Sequence, residues 1–462
     1  MAVHTAPRGL DLPIKGAPNQ QIVETINVRR VAVMAADYPG MRPKMLCKVG
    51  DRVKRGQPLF EDRKAAGVLY TAPGAGQIVG INRGEYRALQ SVVIELTDSE
   101  AAGEPTDDDF ATFSSYEGKA IDKLEASEIA ALLTESGMRT AFRQRPFDRV
   151  PSTEAARPNA MFVTATDSNP LALDPALALA DEDTASAFEA GLKVVARLCE
   201  GKTFVCKRMG ADIPTGSASV QVEEFDGPHP SGTVGFHIHT LYPVSRQRSA
   251  WHLNYQDVIS IGRLFTTGRL DVTRMVSLAG PGIRTPGLVR TRVGAEIDGL
   301  LRPKELLNWE SRVVSGSVLW GRIAMGEEHG YLGRYHLQIT ALEEGRKREF
   351  LGWLKPGFDM FSITRAFASW LAPDQKYDFD TNLNGSPRAM VPIGMFEEIF
   401  PFDIFPTFLL RAILMRDLSR AEELGVLELA EEDLALCTYV APGKHDFGAA
   451  LRANLDEIWK EG

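Results

Sequence analysis

The stretch VGDRVKRGQPLF, Val49 to Phe60, sets Gly50-Asp51 and Gly56-Gln57 around Val53, with Val49 and Leu59 outside them. Each Gly-polar pair is a turn signal, because glycine supplies the φ > 0 positions that tight turns need. The apolar residues between the turns have the two-residue period of a strand. The same alternation extends from Val31 to Leu96 through VAVMA, KMLCKV, GVLYTA, GQIVGI and SVVIEL, with APGAG at Ala72 to Gly76 as a further turn. Short strands at such close spacing predict a compact all-β module.

Working outward, the chain of 462 residues is too long for one ordinary core, and at roughly 150 residues per domain it holds about three. Hydrophobic residues at 44% and charged ones at 24% are globular values. The net charge of -9 and the pI near 5.6 oppose phosphate backbones, so nucleic acid is not expected as a partner. The cluster Arg346, Lys347 and Arg348 reads as a solvated face. Cys47, Cys199, Cys206 and Cys437 lie far apart without a C-x-x-C pair, which specifies neither zinc nor disulfides and fits a reducing cytosol. MAVHTAPRGLDLP lacks the pattern of a secretory leader, and no run approaches the roughly 20 apolar residues of a spanning helix.

Residues 100–120, EAAGEPTDDDFATFSSYEGKA with its acidic and small side chains, read as a linker. Glu125 to Gly137 has helical spacing and a glycine stop, and a loop with three Arg and three Pro follows. AMFVTATDSNPLALDP is a strand ending in Asp167, Ser168, Asn169 and Pro170, Thr184 to Gly201 a helix, and TFVCKR a strand. Strand, helix, strand predicts a parallel sheet. From Trp251 to Glu349 the runs RMVSLAG, GLVRTRVG and YHLQIT, with short helices at RPKELLN and DVISIGRLF, predict a small α+β unit. The last third is Phe- and Pro-rich and then helical, with Thr407 to Gly425 expected as the longest helix.

Several stretches invite a chemical reading. Small β-barrels that carry biotin or lipoate place a lysine at an exposed hairpin tip, usually flanked by Met or Asp. Here Lys64 in EDRKAAG has no Met beside it and reads as a surface lysine. His237 and His239 in HIH fall on one face of a strand, with His229 and His252 near in sequence; three such imidazoles would suit zinc, but no carboxylate or Cys stands at a supporting spacing. GPGIRTPG, Gly280 to Gly287, continues into LVRTRVG, another strand, and so is a turn at a sheet corner rather than a dinucleotide loop. No P-loop, H-E-x-x-H or G-x-S-x-G occurs. DYPGMRP, Asp37 to Pro43, joins Tyr, Met and Arg in a loop, a surface that suits a flat apolar ring with carbonyls such as a quinone, or a buried turn. Phe396 to Met415 carries five Phe and suits either core packing or a partner surface, while Glu397, Glu398 and Asp403 exclude a bilayer span.

Taken together, RGLDLPIKGAPNQ, DYPGMRPKMLCKVGDRVKRGQPLFEDRK, TAPGAGQIVGINRGEYRALQSVVIEL, RPFDRVP, FVTATDSNPLA, GPHPSGTVGFHIH, WHLNYQDVISIGRLF, SLAGPGIRTPGLVRTRVGAEI and CTYVAPGKHDFGAALRANL resemble, in order, the A-subunit family of the sodium-translocating NADH:quinone reductases (Na+-NQR). Through it the chain is similar to the C subunit of Rnf complexes and the flavin-binding subunit of respiratory complex I. The resemblance implies a multi-domain α/β and α+β architecture: a barrel-sandwich hybrid, lipoyl-like module in residues 1–100, an α/β domain like the complex I flavin domain in 101–255, an SLBB-type β-grasp module in 256–350 and a helical C-terminal domain in 351–462. It further implies a peripheral subunit on the cytoplasmic face of the inner membrane. Its partners are the B to F subunits, above all the membrane-embedded B subunit; they carry NAD, flavins and iron–sulfur centres and reduce ubiquinone while exporting sodium.

Two departures from the cofactor-binding relatives shape the expectation for this chain. Those relatives grip flavin phosphate with a Gly-rich loop after the first helix, whereas the matching place here reads ESGMRTAFRQRPF. They also hold a four-iron cluster with several cysteines near the C-terminus, where LCTYVAPGK offers Cys437 alone. The expectation is a subunit with no tightly bound cofactor, no metal and no catalytic site of its own, which contributes quinone contacts from Tyr38, Gly40, Met41, Arg42, His229 and Pro230. The alternatives are an Rnf-like electron carrier and a purely structural protein without quinone contact.

Overall fold

The computed structural model of the chain describes residues 2–307, 310–346 and 352–461. The β module is present. Strands Arg30–Met34, Leu89–Leu96, Gly76–Arg83 and Arg52–Val53 form one antiparallel sheet, and Pro43–Met45, Pro58–Asp62 and Leu69–Thr71 a second. Alternation places Val31, Leu59, Phe60, Tyr70, Ile78, Val92 and Ile94 in their common core. Gly50 and Gly56 of the opening stretch take φ of 92° and 88°, left-handed values that a side chain disfavours. Lys64 is exposed in the hairpin between Pro58–Asp62 and Leu69–Thr71. That hairpin is docked rather than free: Thr153 Oγ1 donates to the Ala66 carbonyl at 2.6 Å, and the Thr153 side chain fills the space beside Gly67.

The chain ahead of the module is shared out to other units. Val3–Thr5 runs parallel to Gln221–Asp226, and Asn19–Thr25 parallel to Gly287–Arg292. The second unit is a six-stranded sheet in the order Val3–Thr5, Gln221–Asp226, Lys202–Arg208, Ala160–Ala165, Ala250–Asn254, Arg143–Arg145, parallel except at the last strand. Its central strands are near-continuous apolar runs because both faces are covered. Met161, Val163 and Val205 face helices Glu182–Leu198 and Tyr255–Thr267; Ala160, Phe162, Phe204 and Cys206 face helix Val234–Leu241 and the C-terminal helices. Gly191 and Gly262 let the first two helices touch backbone to backbone, since a methyl on Gly262 would collide with the Ala187 carbonyl and one on Gly191 with that of Val258.

The third unit is a mixed sheet in the order Arg322–Ile323, Ser311–Ser315, Gln338–Glu343, Thr273–Ala279, Gly287–Arg292, Asn19–Thr25. GPGIRTPG is the turn between antiparallel Thr273–Ala279 and Gly287–Arg292, as the sequence indicates. Val276, Leu278, Val289 and Ile297 of this unit share one core with the β module.

Several local expectations need correction. The acidic stretch 100–120 is more than a linker: it opens in helix Asp98–Ala102, whose Glu100 is buried between the Arg55 and Arg292 guanidinium groups and accepts from the Ala75 amide at 2.9 Å. The Arg- and Pro-rich loop contains edge strand Arg143–Arg145, because it pairs with Ala250–Asn254. Thr407 to Gly425 is two helices, Pro406–Met415 and Leu418–Glu423: Arg416 turns left-handed at φ 56°, and the Asp417 side chain accepts from the Arg420 amide to cap a new helix. The longest helix is instead Glu182–Leu198. RPKELLN holds only a turn of 3₁₀ helix, Arg302–Lys304, with Pro303 in it; its Asn308, like Lys347 and Arg348 of the basic cluster, lies outside the described residues. The Phe-rich stretch is divided, with Phe396, Phe400 and Phe402 in the core and Phe405 and Phe408 71% and 58% exposed. No helix among the described residues is long and apolar enough to cross a membrane.

The helix contact at Gly262 gives a direct test of this packing. Gly262→Ala forces the two helices apart and is expected to cost about 2–3 kcal/mol, the upper range for overpacking, seen as a lowered denaturant midpoint. Ala substitution at half-buried Gly394, where nothing stands within 4 Å of the added methyl and only the left-handed φ of 84° opposes a side chain, is expected to cost less.

Candidate functional site

In open parallel sheets ligands bind beyond the carboxyl ends of the strands, where the chain order reverses. Here that point is Ala160–Ala165, from which the chain proceeds to Lys202–Arg208 on one side and returns to Ala250–Asn254 on the other. An open cleft of about 780 Å³, counting solvent in its mouth, lies there. Thr164, Asp167 and Asn169 come from the end of the central strand, Arg143 from the edge strand, Trp320, Tyr335 and His336 from the third unit, and Glu432 from the C-terminal helices.

The polar groups are held in a fixed arrangement. Asp167 Oδ1 accepts from the Asn169 amide at 2.8 Å and its Nδ2 at 2.9 Å. Asn169 Nδ2 also reaches Glu432 Oε1 at 3.4 Å, while its Oδ1 accepts from Trp320 Nε1 at 3.1 Å. Burial pushes the Asp167 carboxyl up to about 6. Burial, reinforced by neighbouring Asp433, pushes Glu432 up to about 7. Burial lowers His336 to about 3, so it is a neutral imidazole.

Glu432 is delivered by a buried charge cluster beneath the cleft. Arg145, 1% exposed in its side chain, donates to Asp433 Oδ2 at 2.7 Å and to the Glu428 carbonyl at 2.9 Å. Asp148 meets Arg143 at 2.7 Å, Arg145 at 3.3 Å and His252 Nε2 at 2.7 Å. To do so, Phe147 and Asp148 adopt left-handed φ of 80° and 53°, conformations that cost of order 1 kcal/mol each and persist only when their surroundings fix them. Burial is opposed by the two arginines and His252, which hold Asp148 well below the usual carboxylate range.

The sequence-selected residues divide around this cleft. His229 is buried, its Nδ1 within 3.0 Å of Ser168 Oγ and its amide donating to Asp11 at 2.9 Å; its peptide to Pro230 is cis, and Gly232 and Thr233 form cleft wall. Tyr38 stands behind the opposite wall, edge-on to Tyr335 at 6.0 Å and to Tyr70 at 4.6 Å. Gly40 makes a left-handed turn against the Arg149 guanidinium, Met41 is half-buried on the β module, and Arg42 is exposed. HIH is not on a strand but in helix Val234–Leu241, which begins after Thr233, so residues two apart point to opposite sides. His237 Nε2 lies 3.0 Å from the Ser231 carbonyl, and His239 Nδ1 2.8 Å from Glu428. Among the described residues no three His, Cys, Asp or Glu side chains converge for a metal.

Nor does the loop after helix Ala126–Glu135 suit a flavin phosphate. Met138, Arg139 and Phe142 are buried in it, Arg139 Nε donating to the Pro151 carbonyl at 2.9 Å and its guanidinium lying 5.2 Å from the Trp251 ring. Side chains occupy the space where a phosphate cradle needs bare amides. Sequence reasoning passed over Arg145, Trp320, His336 and Glu432, which carry no motif and meet only through folding.

Glu432 supplies a pH test. Its carboxyl ionises at 4.5 in the unfolded chain and at about 7 in the folded one, so the unfolded state gives up the proton first and stability falls as pH rises through that window. Glu432→Gln is expected to match the parent below pH 4.5 and to gain on it progressively up to about pH 7, measured by urea midpoints across the range.

Comparison with known proteins places the whole chain. Family models described as the NqrA N-terminal barrel-sandwich hybrid domain, the NqrA second alpha/beta domain and the NQRA C-terminal domain match residues 5–97, 124–270 and 275–326. Proteins named as the A subunit of Na(+)-translocating NADH-quinone reductase are 49% identical in Shewanella amazonensis, over 99% of this chain and 100% of that one, and 50% in Marinomonas sp., over 98% and 99%. The Vibrio parahaemolyticus protein of that name is 49% identical over 99% and 100%. Two structures of an NAD+-reducing [NiFe]-hydrogenase align at 14% and 12% identity with TM-scores of 0.35 and 0.39, covering 53% and 75% of this chain and 55% and 63% of theirs, too distant to inform the site. A barrel-sandwich module, an α/β domain and a third β unit in this order, matched end to end at half identity, establish that the chain belongs to the A-subunit family of the Na+-translocating NADH-quinone reductases.

Proposed function

We propose that the chain serves as a cofactor-free scaffold in a Na+-translocating NADH:ubiquinone reductase, peripheral on the cytoplasmic face of the inner membrane. The B to F subunits, with the membrane-embedded B subunit as its main seat, carry NAD, flavins and iron–sulfur centres, and the complex couples ubiquinone reduction to sodium export. The observation that carries this reading is the filled loop at Met138 to Phe142, where buried side chains stand in place of a phosphate cradle. Cys437 agrees with it: buried and without a second cysteine, it lacks the ligand set of an Rnf-like cluster.

The contribution to the quinone surroundings would come from the turn at Tyr38 to Arg42, where Met41 and Arg42 reach the surface over buried Tyr38 and Gly40 sets the turn. His229 and Pro230 would add quinone contacts from the loop that leads into the cleft wall at Gly232 and Thr233. In finer fold terms we read the first module as lipoyl-like, the second as a relative of the complex I flavin domain and the third as a β-grasp. The lipoyl likeness is one of shape, since Lys64 sits in a docked hairpin.

The chain purified alone is expected to be colourless, without stoichiometric flavin or iron, while the intact complex retains both. Stoichiometric flavin absorbance or a four-iron signal in the isolated chain overturns the reading. In the complex, Arg42→Ala is expected to raise the KM for ubiquinone with little change in the NADH-side reaction.

A further inference from the structure

The cleft at the head of the parallel sheet holds unused hydrogen-bonding capacity of a particular kind. Ser315 Oγ, fully buried, accepts from the Gly333 amide at 2.9 Å and lies 2.8 Å from His336 Nδ1. Among the described residues Nδ1 is the one acceptor in reach of the hydroxyl proton, which satisfies Ser315 when it donates there and leaves the neutral ring's own proton on Nε2. His336, 8% exposed, lines the cleft and has no partner for Nε2 among the described residues. Across from it stand acceptors: both Asn169 bonds fall on Asp167 Oδ1, leaving Oδ2 without one, and Glu432 receives only the long Asn169 contact at 3.4 Å. Thr164 Oγ1 is buried there without a partner. Between donor and acceptors lie the half-buried Trp320 indole, edge-on to His336 at 5.0 Å, and Tyr335.

One buried donor, two carboxyl acceptors and an aromatic wall match the edge of a flat ring that has a carbonyl beside N–H groups. A phosphate is not served beside Asp167 and Glu432, because the two carboxyls repel it. We propose that this cleft binds a planar nitrogen heterocycle with an amide edge and no phosphate, its ring against Trp320, its carbonyl accepting from His336 Nε2 and its N–H groups donating to Asp167 and Glu432. Such a ligand joins three parts of the fold at once, since His336 and Trp320, Asp167, and Glu432 belong to the third unit, the parallel sheet and the C-terminal helices respectively.

The test is equilibrium dialysis of the full chain against pterin, a fluorescent ring with this edge. Saturable binding of one equivalent is expected. Trp320→Ala is expected to weaken it about tenfold, as loss of one ring-stacking partner does. Asp167→Asn, close in shape, is expected to weaken it comparably by replacing an acceptor oxygen with a donor amide, and it serves if Trp320→Ala does not fold, as judged by circular dichroism. Absence of saturable binding, or binding that a folded variant leaves unchanged, overturns the proposal.

Discussion

A guanidinium in the interior of a protein needs partners that offset its lost hydration, and Arg145 meets that requirement with carboxylates at the edge of the parallel sheet. Its partners are Asp433 in the C-terminal helices and Asp148 in a left-handed turn of its own loop. Separating such a pair leaves a charge in low dielectric, at a cost of about 3–5 kcal/mol. The C-terminal helices are therefore pinned where they cover Ala160, Phe162, Phe204 and Cys206. The second face of the sheet is closed by residues far away along the chain, and Glu432, adjacent to the pinned aspartate, is carried to the rim of the cleft.

The same solution recurs at the other seams. Glu100, buried between Arg55 and Arg292, joins the β module to the third sheet. Asp257 on helix Tyr255–Thr267 faces Arg274 and Arg334 of the third unit, Arg334 at 2.8 Å. Apolar surfaces alone tolerate sliding, whereas a buried pair has one geometry in which both partners are satisfied. A molecule joined in this way presents its outer surfaces in fixed relation, as the proposed scaffold role requires.

The site was legible in the sequence only in part. His229 and Pro230, singled out in the sequence, lie beside the cleft wall that Gly232 and Thr233 form. HIH suggests a paired face only under strand periodicity; the helix turns residues two apart to opposite sides, and the pairing disappears. Tyr38 lies in an edge-on aromatic cluster rather than open to solvent, since Tyr70 and Tyr335, from two other segments, close over it.

By itself the sequence determined the local elements: the barrel strands from two-residue alternation and glycine turns, the central parallel strands from their apolar runs, the GPGIRTPG hairpin, and the shortage of cysteines for a cluster. Those features depend on neighbours within a few residues, where periodicity and turn chemistry act. Only the tertiary structure decided that residues 3–5 and 19–25 belong to two other sheets, that an acidic stretch hides Glu100, and that Asp167, Trp320, His336 and Glu432 share one cleft. Burial and charge pairing between distant segments govern these outcomes, and neither leaves a periodic trace along the chain.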